Sequence, residues 1–145
     1  MKVLVAGATG GLGRSLVPKL VAAGHEVTGM IRSQSGSAGL QAQGADVVLA
    51  DGLDAAAVKA AVESVRPEVV VHQMTALKGG IDFKKFDQSF ALTNRLRTEG
   101  TDNLLAASQA AGVCCPSARW GRTVLYSIRH ASTVFLTSSN DVNQC

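Results

Sequence analysis

The run Gly7-Ala8-Thr9-Gly10-Gly11-Leu12-Gly13 constrains the fold of this chain more than any other stretch. It follows the apolar segment Val3 to Ala6 at once and leads directly into an amphipathic segment. A buried strand that turns tightly into a helix needs backbone without Cβ atoms where strand, turn and helix converge, and glycines at 7, 10 and 13 meet that need. The amides that open such a helix have no partner inside it and form a ready site for an anion. The spacing is G-x-x-G-x-x-G, neither G-x-G-x-x-G nor the G-x-x-x-x-G-K-[ST] of a phosphate-binding loop. A glycine-rich turn used only for packing is the competing reading. The strand before, the helix after and a second strand at Glu26 to Ile31 instead favour a dinucleotide whose pyrophosphate rests on the turn.

Beyond the turn, strand-like apolar runs alternate with helix-like stretches, which predicts an α/β fold with a parallel sheet covered on both faces. Strand one spans Lys2 to Ala6. Helix one is expected from Leu12 to Ala23, with Leu12, Leu16, Leu20 and Ala23 on one stripe and Gly24 as its stop. Pro18 falls inside it, so a local bend or a tolerant packing arrangement is expected. After strand two, Glu26 to Ile31, the Ser- and Gly-rich stretch Ser33 to Gly44 predicts a short or frayed helix. Strand three is Asp46 to Ala50. Asp54 is placed to cap an alanine-rich helix, Ala55 to Val65, which Pro67 closes. Strand four, Glu68 to Gln73, carries Val69-Val70-Val71, as a strand buried on both faces should. A loop over Thr75 to Asp87 leads to a long helix from Ser89 to Ala111, capped by Gly112.

Composition narrows the class. The chain has 145 residues, 46% of them hydrophobic, with no apolar run near the ~20 residues needed to span a membrane. A single globular domain is expected. The N-terminus begins in a strand with no charged and then apolar leader, so a cytoplasmic location is the expectation. The net charge is +3, yet residues 1–113 hold 11 basic and 10 acidic side chains, and Arg119, Arg122 and Arg129 account for most of the excess. With 4% aromatic residues and no basic stripe, a nucleic-acid surface is not expected, and Lys78, Lys84 and Lys85 read as a solvated face. Cys114, Cys115 and Cys145 match no zinc spacing and no even disulfide framework, so free thiols and no metal are expected.

Four segments in order, KVLVAGATGGLGRSLVPKLVAAGHEVTGMIRS, VLADGLD, VVVHQMTAL and EGTDNLLAASQAAGV, resemble the extended and atypical short-chain dehydrogenase/reductase superfamily, specifically its NAD(P)-dependent epimerase/dehydratase proteins. The resemblance covers residues 1–113. It implies a Rossmann-type doubly wound parallel sheet, here truncated, that binds NAD(P), with residues 114–145 as an atypical tail. It also implies site residues. Gly7, Gly10 and Gly13 would shape the turn and Thr9 would lie within it, while the amides of Gly11 and Leu12 would donate to pyrophosphate oxygens. NAD-preferring relatives place a carboxylate at the end of strand two for the ribose hydroxyls; here that place is Ile31, followed by Arg32. Arg32 could pair with a 2′-phosphate, which favours NADP over NAD, the bland alternative being an exposed arginine at a strand end. Asp51 and Leu53 resemble the pair that contacts adenine, against the alternative that Asp51 merely caps a turn. Met74 and Thr75 sit where relatives place small residues near the nicotinamide-side ribose. His72, on an apolar strand, reads as a packed core histidine and His25 as a solvated one.

The resemblance also carries a departure. Relatives catalyse with Tyr-x-x-x-Lys and a nearby Ser or Thr, the lysine lowering the tyrosine's pKa for proton exchange with substrate. The single tyrosine here, Tyr126, precedes His130 by four residues, and no lysine follows Lys85. Tyr126 falls in the apolar run Thr123 to Ile128 and reads as a strand residue. The long helix shows Arg97 where relatives have asparagine, with Asn94 one turn earlier. After Val113 the pattern stops, and a changed reading frame and a divergent tail are both open. The tail offers two strands, Thr123 to Ile128 and Thr133 to Thr137, the first expected to pair beside strand four and cover its edge. Two functions follow as alternatives: an NADP-using reductase or epimerase with a small-molecule substrate, or a non-catalytic, redox-sensing dinucleotide module. Relatives pair subunits through the long helix, so a homodimer is an expectation from the same source.

Overall fold

A computed structural model gives the backbone of residues 1–76, 86–113, 125–128 and 131–137 and the side chains of residues 1–76 and 90–113. The strands are β1 (Lys2–Ala6), β2 (Glu26–Ile31), β3 (Asp46–Leu49), β4 (Val69–His72), β5 (Leu125–Ile128) and β6 (Ala131–Thr137); the helices are α1 (Gly11–Ala22), α2 (Ser37–Gln41), α3 (Ala55–Val65) and α4 (Phe86–Ala110). They form one sheet in the order β3-β2-β1-β4-β6-β5. β1 to β4 are mutually parallel, and Ala6 pairs with both Met30 and His72. The carboxyl ends of β1, β2 and β4 are therefore level, which is where an open α/β sheet builds its ligand crevice.

Successive side chains along a strand point to opposite faces, and here both faces are buried. Leu4, Ala6, Met30 and Val70 pack against Val58, Ala61 and Val62 of α3 and Leu96, Leu104 and Ala107 of α4. Val3, Val5, Val27, Ile31, Val69 and Val71 pack on the other side with Val17 of α1 and Leu40 of α2. Each fully buried aliphatic side chain stabilises by about 1.5–3 kcal/mol relative to exposure. The sheet is thus held between two apolar layers.

Local chemistry sets the ends of the elements. Asp54 accepts from the amides of Ala56 and Ala57 at 3.0 Å, so it caps α3 as its sequence position predicts. At the other end Pro67 disfavours helical backbone at the preceding residue, and Arg66 turns left-handed at φ 48° while its amide still bonds the Val62 carbonyl at 2.8 Å. α2 is one short turn and a half, as expected of a Ser- and Gly-rich stretch. α1 continues through Pro18 without interruption.

Two expectations are corrected. The buried line of α1 runs through Gly13 and Val17, with Leu16, Leu20 and Val21 beside it, whereas Leu12 is 59% exposed. Leu12 lies about 100° round the helix from Gly13 and so off this buried line, although its spacing to Leu16 and Leu20 suggested the core. The strand beside β4 is β6, antiparallel, with Val69 opposite Thr137 and His72 opposite Val134. The earlier tail strand, β5, pairs outside β6 with Leu125 opposite Val134. β6 has seven residues and β5 four, so the longer strand takes the position that must pair on both sides. The expectations for the three cysteines, for Lys78, Lys84 and Lys85, for His130 and for the Tyr126 side chain fall outside the described residues.

Candidate functional site

Gly7 leaves β1 at φ 87°, a conformation L-residues rarely adopt, and its amide bonds the Met30 carbonyl at 3.2 Å. A Cβ there would lie 2.6 Å from the Gln73 carbonyl oxygen, so a side chain is excluded by strain and by space. Gly13, in the first turn of α1, faces back onto the same loop, where a Cβ would collide with the Ala8 carbonyl. Gly11 differs: nothing lies within 4 Å of its Cβ position. The turn closes through Gly10, whose amide bonds the Gly7 carbonyl at 3.0 Å. Gly10 is also the N-cap, and neither a capping side chain nor an acidic residue occupies the first turn. The Arg14 amide donates to the Gly10 carbonyl at 3.0 Å, and the amides of Gly11, Leu12 and Gly13 before it belong to the open first turn. This is an anion seat with the positive end of the helix dipole behind it.

A cleft of about 580 Å³ opens over this turn, at the carboxyl ends of the parallel strands. Of the residues expected at a dinucleotide site, Gly7, Thr9, Gly10, Gly11, Arg32, Asp51, Met74 and Thr75 line it. Leu12, Gly13 and Leu53 do not: Leu12 points to solvent, Gly13 is buried behind the turn, and Leu53 packs against the core on the α3 side. Asp51 caps the turn after β3. Its Oδ1 accepts from the Leu53 amide at 3.0 Å and its carbonyl from the Asp54 amide at 3.0 Å, while the residue also borders the cleft. Glycines that admit a phosphate to the backbone, an uncapped helix end and a cleft of this size fit a dinucleotide.

The floor of the cleft is fastened to α4. Met74 is 8% exposed, and its thioether fills the space left by two glycines: a Cβ on Gly52 would collide with Sδ, and one on Gly100 would come within 3.2 Å of Cε. Asn103 of α4 donates from Nδ2 to the Gly52 carbonyl at 3.0 Å, and Thr93 Oγ1 accepts from the Ala76 amide at 3.1 Å. His72 lies beneath, 3% exposed, and is a core histidine as its apolar strand suggests. Its Nδ1 accepts from the Met74 amide at 3.1 Å, which puts the proton on Nε2, 3.2 Å from the Leu96 carbonyl. Burial is the main cause that holds its pKa below 6.5; the Leu96 bond opposes this and the charge of Arg97 adds to it.

Several cleft residues escaped the reading of the sequence, above all Arg14, Ser33 and Ser35. Arg14 directly follows the third glycine, and that adjacency is the signal that could have flagged it. The serines sit on the turn after Arg32, where their composition suggested only weak helix. Among the described residues no helix is long and apolar enough to cross a membrane, and no group of three or more His, Cys, Asp or Glu side chains could hold a metal ion.

The family model described as NAD(P)H-binding matches residues 7–114. A 3-diazoavenalumate denitrifying reductase of Streptomyces is 52% identical over 113 residues, covering 77% of this chain and 35% of that protein. A photosystem II assembly factor of Synechocystis is 28% identical over 97% of this chain and 42% of its own. Among solved structures, UDP-glucose 4-epimerase of Thermus thermophilus in complex with NAD aligns with a TM-score of 0.63 at 29% identity, over 78% of this chain and 35% of the epimerase. The chain thus spans between a third and a half of the length of these relatives. With the glycine turn, the cleft and these matches together, the chain belongs to the NAD(P)H-binding family, and its first 113 residues are of the short-chain dehydrogenase/reductase, epimerase/dehydratase type.

Proposed function

We propose that this chain is the coenzyme-binding part of an epimerase/dehydratase-type reductase, that it prefers NADP to NAD, and that residues 1–113 form the binding unit. One observation carries the preference. The C-terminal end of β2 presents Arg32, Ser33 and Ser35 to the cleft, while the carboxylate among the described lining residues, Asp51, stands at the end of β3. A carboxylate at the end of β2 would select a free ribose diol, whereas a guanidinium there selects a phosphate on it. In this reading the amides of Gly11 and Leu12 hold the pyrophosphate, Asp51 accepts from the adenine amine through Oδ2, and Thr75 and Gln73 border the nicotinamide end. The bound coenzyme supplies hydride exchange; the chain's own residues bind and orient it. The 52% identity to a reductase supports an oxidoreductase setting.

A second reading has its own support. The sequence holds a single tyrosine and no lysine after Lys85, so the Tyr-x-x-x-Lys of catalytic relatives is missing from it. In that case the chain binds the dinucleotide and responds to it without turnover. Titration calorimetry with both coenzymes tests the preference: NADP is expected to bind at least about tenfold more tightly, which is roughly 1.4 kcal/mol. Equal affinities would refute it. NADPH oxidation against a panel of carbonyl compounds separates reductase from module.

A further inference from the structure

We infer that Arg14 is a specificity-determining residue, the second cationic arm of a 2′-phosphate subsite shared with Arg32. The inference rests on the coenzyme reading above and deepens it. Arg14 stands in the first turn of α1, beside the amides that face the pyrophosphate, and position alone would assign it there. Its side chain is tethered elsewhere. Nε donates to the Thr9 carbonyl at 3.1 Å, which draws the guanidinium toward Thr9 and leaves the Nη donors for a ligand.

Thr9 in turn belongs to the β2 side of the cleft. Its Cγ2 occupies the space that a Cβ on Gly36 would need, so the turn following β2 is folded directly against it. That turn carries Ser33 and Ser35, whose hydroxyls lie 2.9 Å apart, and it begins at Arg32. Thr9 therefore bridges the two arginines: its carbonyl holds Arg14 and its methyl abuts the segment that Arg32 opens. Arg14 and Arg32 are the two cations among the described lining residues, and the Thr9 contacts bring Arg14 toward the segment that Arg32 opens. A phosphate monoester on the adenosine ribose is the ligand group that fits two guanidinium groups flanked by two hydroxyls.

Calorimetric titration of Arg14→Gln, Arg14→Lys and Arg32→Gln with NADP, NAD and adenosine 2′,5′-bisphosphate tests this. Arg14 is exposed, so thermal melts of the variants should match the wild type. Arg14→Gln is expected to weaken NADP and the bisphosphate by about tenfold or more and NAD by less than about twofold, with a smaller loss for Arg14→Lys, which keeps charge without the Nε tether. An equal loss for NADP and NAD would place Arg14 on the pyrophosphate and overturn the inference, as would no loss for either. If Arg32→Gln alone abolishes the preference, the NADP reading stands and the role of Arg14 falls. Should the wild type not discriminate between the coenzymes, both fall.

Discussion

Substituting alanine at Gly11 and at Gly13, two positions apart in one helix turn, should move stability in opposite directions. In a helix, alanine is favoured over glycine by about 0.5–1 kcal/mol, and Gly11 has nothing within 4 Å of its Cβ position, so Gly11→Ala keeps that gain. At Gly13 the same gain is opposed by overlap with the Ala8 carbonyl and a 2.6 Å approach to the Gly7 carbonyl oxygen. Both obstacles are backbone atoms of a turn that continues β1 and is bonded to Met30 of β2, and neither can swing aside as the end of a side chain could. Overpacking costs about 1–3 kcal/mol where neighbours adjust, so with an unyielding backbone a net loss of about 2 kcal/mol is expected for Gly13→Ala. The two variants should then differ by about 3 kcal/mol, or roughly 10 °C in Tm for a chain of this size. Urea denaturation followed by circular dichroism measures the difference. The Gly11 methyl would also stand in the cleft, so coenzyme affinity should fall in the variant whose stability rises. A Gly13→Ala protein as stable as Gly11→Ala would refute the assignment of Gly13 to helix–turn contact.

Two further outcomes are expected. Asp54→Ala removes the acceptor for two amides of α3 and should cost about 1 kcal/mol in urea denaturation, with Asp54→Asn retaining most of the stability. His72 is held neutral in the folded chain, its pKa below 6.5, while in the unfolded chain it titrates near 6.5. On acidification the unfolded form therefore takes the proton first, so the His72 contribution is full above about pH 6.5 and is lost as pH falls from there through the folded value. The slope approaches but does not exceed about 1.4 kcal/mol per pH unit. Urea midpoints of wild type and His72→Gln between pH 7.5 and 5 give the difference, and parallel pH profiles would show that His72 is not the group responsible.

Much of the parallel half of the molecule was legible because its signals are local. The valine runs of β1 and β4, the Asp54 cap and the glycine turn each depend on a few consecutive residues, and their order alone implies β-α-β connections and a parallel sheet. The cleft was legible in the glycine turn and in the residues that closely follow a strand, as Arg32, Asp51, Met74 and Thr75 do. Arg14, Ser33 and Ser35 border the cleft through the folding of tight turns, Arg14 with a bond to the Thr9 carbonyl, and Asn103 reaches its floor by a bond to a carbonyl 51 residues earlier. No periodicity encodes such partners. Leu12 shows the converse error, since the large apolar residues of α1 centre the stripe on Leu12, Leu16 and Leu20, whereas the line that is buried runs through Gly13 and Val17.

The far edge of the sheet follows a different logic. β4 is a four-residue strand buried at every position, and its outer backbone groups need a partner as much as those facing β1 do. A parallel partner would require a crossover back to the start of the sheet, whereas two strands separated by two residues in sequence can only run antiparallel to one another. With β5 and β6 so linked, one of them must lie inside the other. β6 exchanges pairs with β4 through Val134 to Thr137 and with β5 through Ala131 to Val134, so its length serves both neighbours while β5 spans a single ladder. Pairing capacity, and not order along the chain, thus decides which tail strand meets β4. The coenzyme cleft, built on the ends of β1 to β4, draws none of its described lining from either.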